Sequence, residues 1–304
     1  MALTPTADLI ADAAAHETGI GAFNVIHLET AEALVTAAER SGLGVILQIS
    51  QNCVAYHADA TASADAPAPD GLDPIALACL ALARQSTAPV AVHLDHAEDA
   101  QLARHAIDLG FGSVMFDASR LEYAANVEAT ATIAAYAHEN GVMVEAELGE
   151  IGGKDGAHAP GVRTDPDEAR SFVAETGVDA LAVAVGSSHA MTAREASLDL
   201  DLIARLHAAL DVPLVLHGSS GVPDHVIVAA IRAGMTKINV STHLNGFFTR
   251  AVREFLDENP TVVDSRKYVR AGRAALSAEA ERMLRLFANA GAASAVASSE
   301  GAAS

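Results

Sequence analysis

Residues 90–96 read Val-Ala-Val-His-Leu-Asp-His, an apolar run that ends in polar side chains. The run follows Pro89, and its small and β-branched residues favour a buried strand. Asp95 and His96 close the run, and a helical pattern over residues 98–109 comes next. The segment therefore predicts a strand that brings a carboxylate and an imidazole to one edge of a sheet.

The order of strand and then helix recurs eight times along the chain. The predicted strands are residues 21–25, 45–50, 90–96, 113–119, 142–148, 180–186, 214–217 and 237–242. This alternation predicts a parallel sheet covered by helices. Eight units within about 250 residues match the size of a (β/α)8 TIM barrel. A doubly wound open sheet would carry a Gly-rich nucleotide turn after its first strand, where this chain has Gly-Ala-Phe-Asn at 21–24.

We therefore predict an α/β protein: one TIM-barrel domain over residues 1–290 with extra terminal helices, and a disordered tail at 291–304. Some segments fit the alternation less well. The residues after position 50 read as irregular, and residues 58–71, rich in Ala, Asp and Pro, read as a mobile loop. Asp73 and Pro74 predict the cap and first residue of a helix that runs to about residue 85. The last helix is predicted at 278–288.

The composition limits the classes of function. The chain has 304 residues, 51% of them hydrophobic, and a formal net charge of −20. Such acidity argues against binding a nucleic-acid backbone, and no apolar run reaches the roughly 20 residues that span a membrane. The two cysteines, Cys53 and Cys79, make no metal-type pair and no disulfide framework. We predict a cytoplasmic protein that binds neither nucleic acid nor membranes, whereas small phosphorylated substrates remain compatible with its charge.

In a TIM barrel the active site lies at the C-terminal ends of the strands. Three of the predicted ends carry histidine: His96, His189 and His217. Three imidazoles at one barrel mouth are the ligand set of a catalytic zinc with an open position. Because side chains alternate along a strand, Asp95 should point away from its neighbour His96. That geometry favours a role for Asp95 in acid/base catalysis on the bound substrate over a role as a metal ligand. His93, two residues deeper on the strand face of Asp95, is predicted to be a buried supporting group.

Other strand ends offer carboxylates and a candidate phosphate site. Glu147 and Asp117 could hold a second metal, support the first, or form rim hydrogen bonds. The turn His-Gly-Ser-Ser-Gly at 217–221 supplies hydroxyls and backbone N–H groups, and a predicted helix follows it. Asn-Val-Ser-Thr at 239–242 lies on the next strand. Phosphate sites after strands seven and eight are frequent in this fold, so we predict one here.

These motifs together resemble the class II (zinc-dependent) ketose-bisphosphate aldolase family. The resemblance covers nearly the whole chain. It rests on Gly-Ala-Phe-Asn-Val at 21–25, His-Leu-Asp-His at 93–96, Val-Glu-Ala-Glu-Leu-Gly at 144–149 with Gly-Gly at 152–153, Leu-His-Gly-Ser-Ser-Gly at 216–221, Lys-Ile-Asn-Val at 237–240 and Asp-Ser-Arg-Lys-Tyr at 264–268.

The resemblance implies Zn2+ on His96, His189 and His217, and a monovalent cation, Na+ or K+, as a further cofactor. It implies that Asp95 is the acid/base at the C4 hydroxyl, and that Glu147 and Asp117 form an alternative metal position. Asp155 stands where the family places a loop Glu that takes the C3 proton. The implied substrate-binding residues are Asn24, Ser50, Gly218, Ser220, Asn239, Ser241, Thr242 and Arg266.

Three of these have more specific implied roles. Asn239 lies near the reacting carbons, Ser50 near the far phosphate, and Arg266 reaches the substrate from a neighbouring subunit of a homodimer or homotetramer. The implied reaction is reversible cleavage of a ketose bisphosphate, of fructose or tagatose 1,6-bisphosphate type, to dihydroxyacetone phosphate and an aldehyde. A Schiff-base route is discounted because Lys237 is predicted to start strand eight, at the wrong end of the barrel.

The chain also departs from the family pattern. Ala190 replaces the usual Gly, Ser241 stands where members acting on fructose bisphosphate carry Asp, and Asp155 is shorter than Glu. Three alternatives stay open beside the implied reaction. They are an aldolase acting on another phosphosugar, such as an inositol-derived 2-deoxy-5-keto-gluconate phosphate, a zinc hydrolase, and a non-catalytic sugar-phosphate-binding barrel.

Overall fold

Eight parallel strands close into a barrel in the computed structural model, which describes residues 3–61, 71–148, 163–187 and 193–291. The strands follow chain order around the barrel, and pairing of the last with the first closes it. They are β1 (Ile20–Asn24), β2 (Val45–Ser50), β3 (Val90–Ala97), β4 (Ser113–Phe116), β5 (Met143–Glu147), β6 (Ala180–Ala182), β7 (Leu214–Leu216) and β8 (Met235–Val240). The predicted α/β barrel is confirmed.

Helices connect and surround these strands. Those described are α1 (Thr6–Ala15), α2 (Leu28–Ser41), α3 (Gln51–Thr61), α4 (Leu72–Gln85), α5 (Ala100–Asp108), α6 (Tyr123–Glu139), α7 (Pro166–Thr176), α8 (Leu200–Ala209), α9 (Asp224–Arg232), α10 (Thr242–Glu258) and α11 (Ser265–Ala288). A short 3-10 helix, Ser219–Gly221, lies between β7 and α9. Asp165 caps α7, since its carboxylate accepts from the Asp167 N–H at 2.9 Å.

The segment after β2 is helical, so the prediction of an irregular stretch there is wrong. Ser50 Oγ accepts a hydrogen bond from the Cys53 N–H at 3.2 Å, which is the bond of a helix-capping serine. Cys53 and Val54 form the buried apolar face of α3. Because polar residues surround this small apolar face, the sequence pattern does not reveal it. Of the predicted mobile loop, residues 62–70 lie outside the described residues.

The helix α11 begins at Ser265, well before the predicted start at residue 278. Asp264 caps it by accepting from the Arg266 N–H at 3.1 Å. Gly272 lies inside this helix. In the structure it permits close packing, because a Cβ there would lie 2.8 Å from ring atoms of Phe248 on α10. The predicted start at residue 278 is therefore wrong.

Two smaller boundaries also differ from the prediction. The helix α4 begins at Leu72 after Gly71, so Asp73 is inside the helix and is not its cap. Pro74 is tolerated there because the first helical N–H groups have no partner within the helix. Strand β8 begins at Met235, so Lys237 lies within the strand and is fully buried. Its predicted place at the start of that strand is wrong.

The apolar core has two parts. The larger one lies between the sheet and the outer helices. The smaller one fills the lower part of the barrel lumen, where side chains such as Ala22, Ile46 and Met115 meet Leu9 and Ile10 of α1. Helix α1 thus closes the N-terminal end of the barrel and leaves the other end for the polar side chains.

Within the described ranges, no helix is both long and apolar enough to cross a membrane. Residues 292–304, nearly all of the predicted tail, are outside those ranges. Both the disorder of that tail and the assignment of residues 1–290 to one domain remain predictions.

An ion-pair network around the buried Glu279 ties α11 to α10 and yields a prediction. His243 Nε2 and Arg282 Nη2 lie 2.6 and 2.7 Å from Glu279 Oε1. Burial opposes the charged form, but these hydrogen bonds lower the pKa of Glu279 from 4.5 to about 2. Because the pKa is lower in the folded state, the ionised Glu279 carboxylate stabilises the fold at pH values above the unfolded pKa of 4.5. This contribution is lost as the pH falls from 4.5 towards about 2.

We expect Glu279→Gln to lower the free energy of unfolding near pH 6 by on the order of 2 kcal/mol. The gap from the wild type should shrink as the pH is lowered from 4.5, which urea unfolding at several pH values measures. As a control, Glu281→Gln breaks only a surface pair with Arg285, worth about 0.3–0.5 kcal/mol. A gap for Glu279→Gln that is constant with pH would contradict the prediction.

Candidate functional site

The C-terminal ends of the strands open into a cavity of about 180 Å³. All but one of its lining residues have polar side chains. The lining residues are Asn24, Gln48, Ser50, Asn52, Asp95, His96, His217, Gly218, Ser220, Asn239, Ser241 and Thr242. Ten of these were predicted site residues. The other two, Gln48 and Asn52, were not. Gln48 shares the strand face of Ser50, which is a usable signal, whereas Asn52 depends on α3, which the sequence pattern does not reveal.

Two histidines face each other in this cavity. His96 Nε2 and His217 Nδ1 are 3.0 Å apart, and the rings are nearly perpendicular, at 80°. The other nitrogen of each ring is bound to a carboxylate. His96 Nδ1 lies 2.8 Å from Asp117 Oδ2, and His217 Nε2 lies 2.8 Å from Glu145 Oε1. Each carboxylate therefore orients its ring so that the remaining nitrogen points at a shared position, as in metal sites built from histidine.

The backbone at His96 brings two neighbouring side chains to the same side of the strand. His96 has φ 49°, in the left-handed region, and the pairing of β3 with β4 shifts register between Leu94 and Ala97. Asp95 and His96 consequently both line the cavity. Candidate ligand atoms of Asp95, His96 and His217 lie within 4.8 Å of one another. The expectation that Asp95 points away from His96 is therefore wrong, because strand alternation fails at this bulge.

Asp95 is buried and has free bonding capacity. Its Oδ2 accepts from Asn24 Nδ2 at 3.4 Å, and Asn24 Oδ1 in turn accepts from Gln48 Nε2 at 3.2 Å. Asp95 Oδ1 is buried with no hydrogen-bond partner in the described part of the chain. Burial raises the pKa of Asp95 although His96 and Lys237 oppose this. A buried carboxylate oxygen without a partner is suited to accepting a proton or a hydroxyl from a ligand.

The electrostatics of the site favour a cation. Burial works against a charged His96, but Asp95, Asp117 and Glu147 together raise its pKa to about 10. In turn, His96 lowers the pKa of Asp117 well below its ordinary value, against the effect of burial. Ligand atoms of His96, Asp117 and Glu147 also lie within 4.8 Å of one another. Imidazole nitrogens and carboxylate oxygens are the donors that zinc accepts, so the residues present fit that ion.

A turn rich in hydroxyl groups borders the cavity after β7. Gly218 has φ 66°, which favours glycine, and the 3-10 helix follows it. Ser220 Oγ accepts from the Ser241 N–H at 3.3 Å, and Thr242 begins the 17-residue helix α10. Hydroxyls and a helix N-terminus at one wall form an environment for an anion such as phosphate. This is where the phosphate site was predicted.

Three predicted site residues are not placed at the cavity. Arg266 is 85% exposed, forms an ion pair with Asp264 at 2.9 Å, and does not line the cavity of its own chain. His189 and Asp155 lie outside the described residues. Glu147 is buried at the end of β5 and joins the site through its proximity to His96.

Comparison with known proteins agrees with this geometry. Residues 4–292 match the family model described as fructose-bisphosphate aldolase class-II. A fructose-bisphosphate aldolase of Geobacillus stearothermophilus is 37% identical, covering 96% of this chain and 99% of that protein. A 6-phospho-5-dehydro-2-deoxy-D-gluconate aldolase of Shouchella clausii is 36% identical, covering 94% and 95%. Among solved structures, the YdjI aldolase from Escherichia coli K12 superposes with a TM-score of 0.79 at 30% identity, covering 94% and 97%.

Proposed function

Because this chain belongs to the class-II fructose-bisphosphate aldolase family and is therefore a lyase, we propose that it cleaves a ketose phosphate at a zinc ion held by His96, His189 and His217. The products are dihydroxyacetone phosphate and an aldehyde, and the reaction is reversible. One observation carries the proposal. The facing nitrogens of His96 and His217 belong to a group of candidate ligand atoms, one of them from Asp95, that lie within 4.8 Å of one another, and Asp95 Oδ1 has no hydrogen-bond partner among the described residues.

The metal and the carboxylate have separate tasks in this proposal. A bound Zn2+ supplies a Lewis acid that polarises the C2 carbonyl of the substrate. Asp95 takes the proton from the C4 hydroxyl as the C3–C4 bond breaks, and returns it in synthesis. The contacts from Gln48 to Asn24 and from Asn24 to Asp95 hold the carboxylate at one oxygen, which leaves the other for the substrate. Asp117 and Glu147 are the carboxylates of the alternative metal position. A monovalent cation, Na+ or K+, is the further proposed cofactor.

The remaining site residues position the substrate. Gly218, Ser220, Ser241 and Thr242 bind the phosphate of the dihydroxyacetone half, supported by the hydroxyl-rich turn and the N-terminus of α10. Asn239 lies at the reacting carbons. Asn24 and Ser50 contact the rest of the sugar, with Ser50 on the far phosphate.

Two residues act from outside the described cavity. Arg266 reaches the phosphate of a neighbouring subunit in a homodimer or homotetramer. Its side chain is exposed in the single chain, which leaves it available for such a contact. Asp155 takes the C3 proton in the synthetic direction. The protein is proposed to be cytoplasmic.

Two substrate classes have comparable support. The relatives named for fructose bisphosphate and for the 2-deoxy-gluconate phosphate are 37% and 36% identical to this chain. We therefore propose a ketose bisphosphate of fructose or tagatose type, with the 2-deoxy-5-keto-gluconate phosphate as the second candidate. A retro-aldol assay across these three sugars, which follows release of dihydroxyacetone phosphate, distinguishes them. Cleavage of none of them by zinc-loaded protein would favour the non-catalytic sugar-phosphate-binding barrel.

Chelation gives a direct test of the metal. We expect purified protein to carry about one zinc per chain and to lose retro-aldol activity after dialysis against a chelator. Adding back Zn2+ should restore the activity, because the ligands remain in place. Metal analysis and the assay on the same sample measure both quantities. Full activity in protein that has been shown to be free of metal would contradict a metal-dependent mechanism.

A further inference from the structure

Below the candidate site, Glu145, Lys237 and His93 form a polar cluster that takes part in no step proposed above. They project from β5, β8 and β3, which are not neighbours in the sheet, so their contacts cross the barrel lumen. Lys237 Nζ lies 2.7 Å from Glu145 Oε2 and 3.4 Å from His93 Nε2. All three side chains are at most 2% exposed. At this depth, each polar atom needs a partner.

The hydrogen bonds below this cluster assign its donors. Ser113 Oγ–H donates to Thr6 Oγ1 at 2.9 Å, so the Ser113 oxygen accepts from His93 Nδ1–H at 2.7 Å. His93 Nε2 is then the acceptor nitrogen, and it faces Lys237. Burial lowers the pKa of His93 well below its ordinary value, with Lys237 adding to the effect, so the ring is neutral. Lys237 therefore donates to both neighbours, and Glu145 Oε2 is bound to Lys237.

The second oxygen of Glu145 reaches the candidate metal ligand. Glu145 Oε1 lies 2.8 Å from His217 Nε2. An ionised carboxylate accepts hydrogen bonds and does not donate them. His217 Nε2 consequently carries the ring hydrogen and donates it to Glu145. The lone pair of His217 Nδ1 is left facing His96 Nε2.

We propose that Lys237 is a positioning residue for the candidate metal centre. By holding one oxygen of Glu145, it leaves the other oxygen to fix His217 with Nδ1 directed at the ion. The inference rests on the proposed function, since it concerns a ligand of the proposed zinc. A buried ion pair is weak evidence for stability, so a role in orienting a ligand accounts better for a lysine buried inside a barrel.

Two variants test the order of these contacts. In Glu145→Gln the amide has one acceptor oxygen, which the Lys237 ammonium takes. The amide NH2 then faces His217 Nε2, the ring hydrogen moves to Nδ1, and the metal-binding lone pair is lost. We expect the dissociation constant for Zn2+ to rise roughly 10–100-fold. In the double variant Lys237→Met/Glu145→Gln, the amide oxygen returns to His217, so most of the lost affinity should be recovered.

Competition with a chromophoric chelator measures zinc affinity, and the visible spectrum of the Co2+-substituted protein reports the ligand set. Met115→Leu, an apolar change within the same lumen, is the control for altered packing and should leave both readouts unchanged. Wild-type affinity in Glu145→Gln overturns the inference. So does a double variant that binds zinc no better than Glu145→Gln, which is the result expected if Lys237 only stabilises the fold.

The remaining outcomes are also decisive. If the double variant does not fold, the Co2+ spectrum of Glu145→Gln is the test, and unchanged bands overturn the inference. If the wild-type protein itself binds no zinc, both the proposed function and this inference are wrong. If the wild type and Glu145→Gln bind zinc equally, only the inference fails.

Discussion

Asp95→Asn is expected to lower kcat for retro-aldol cleavage by roughly 10²–10⁴-fold, the range for loss of a general acid/base. An amide occupies the same space and can still contact Asn24, but it cannot take the proton from the C4 hydroxyl. The zinc content should stay at the wild-type level, because in the proposed mechanism Asp95 acts on the substrate and is not a ligand. Steady-state kinetics and metal analysis of the same preparation measure the two quantities.

The bulge at β3 makes the zinc measurement decisive, because Asp95, His96 and His217 offer donor atoms within 4.8 Å of one another. If Asp95→Asn loses zinc in parallel with activity, Asp95 is a ligand and the proton-transfer role is wrong. Asp99→Asn is a matched control four residues away. Asp99 caps α5 by accepting from the Gln101 N–H at 2.8 Å, and asparagine caps about as well as aspartate. We expect that variant to keep wild-type kinetics.

The sequence predicts the barrel and most of the cavity wall for a simple reason. Buried parallel strands are continuous apolar runs, so the polar residue that ends each run is easy to locate. Asn24, His217 and Asn239 lie at such ends, and all three line the cavity. The order of the strands around the barrel then follows from the alternation with helices. No knowledge of side-chain contacts is needed for this step.

Other parts of the site depend on contacts that no local pattern encodes. The direction of Asp95 depends on a register shift and on a left-handed residue at His96, whereas regular alternation predicts the opposite direction. Lys237 and Glu145 are separated by 92 residues, and they meet only because their strands face each other across the lumen. Asn52 reaches the cavity because Ser50 caps α3, and the apolar face of that helix is too small to detect in the sequence.

Replacing His96 is expected to have the second large effect, and the choice of replacement separates ligand loss from backbone strain. His96→Ala and His96→Gly both remove the imidazole, so both should lose zinc at stoichiometric concentrations and lose cleavage with it. They should differ in stability. At φ 49°, alanine bears the cost of the left-handed conformation and glycine does not. Without metal, His96→Gly should therefore exceed His96→Ala in free energy of unfolding by on the order of 1 kcal/mol.

The same pair of substitutions at His105 provides the control with the opposite sign. His105 lies inside α5, where its imidazole bonds to Asp73, and both variants lose that contact equally. In a helix, glycine is less stable than alanine by roughly 1 kcal/mol. Urea unfolding of the four metal-free variants should thus give the higher free energy of unfolding to glycine at position 96 and to alanine at position 105. If alanine is favoured at both positions, the backbone at His96 is not strained. In that case the bulge that directs both Asp95 and His96 into the cavity has a cause other than the left-handed backbone at His96.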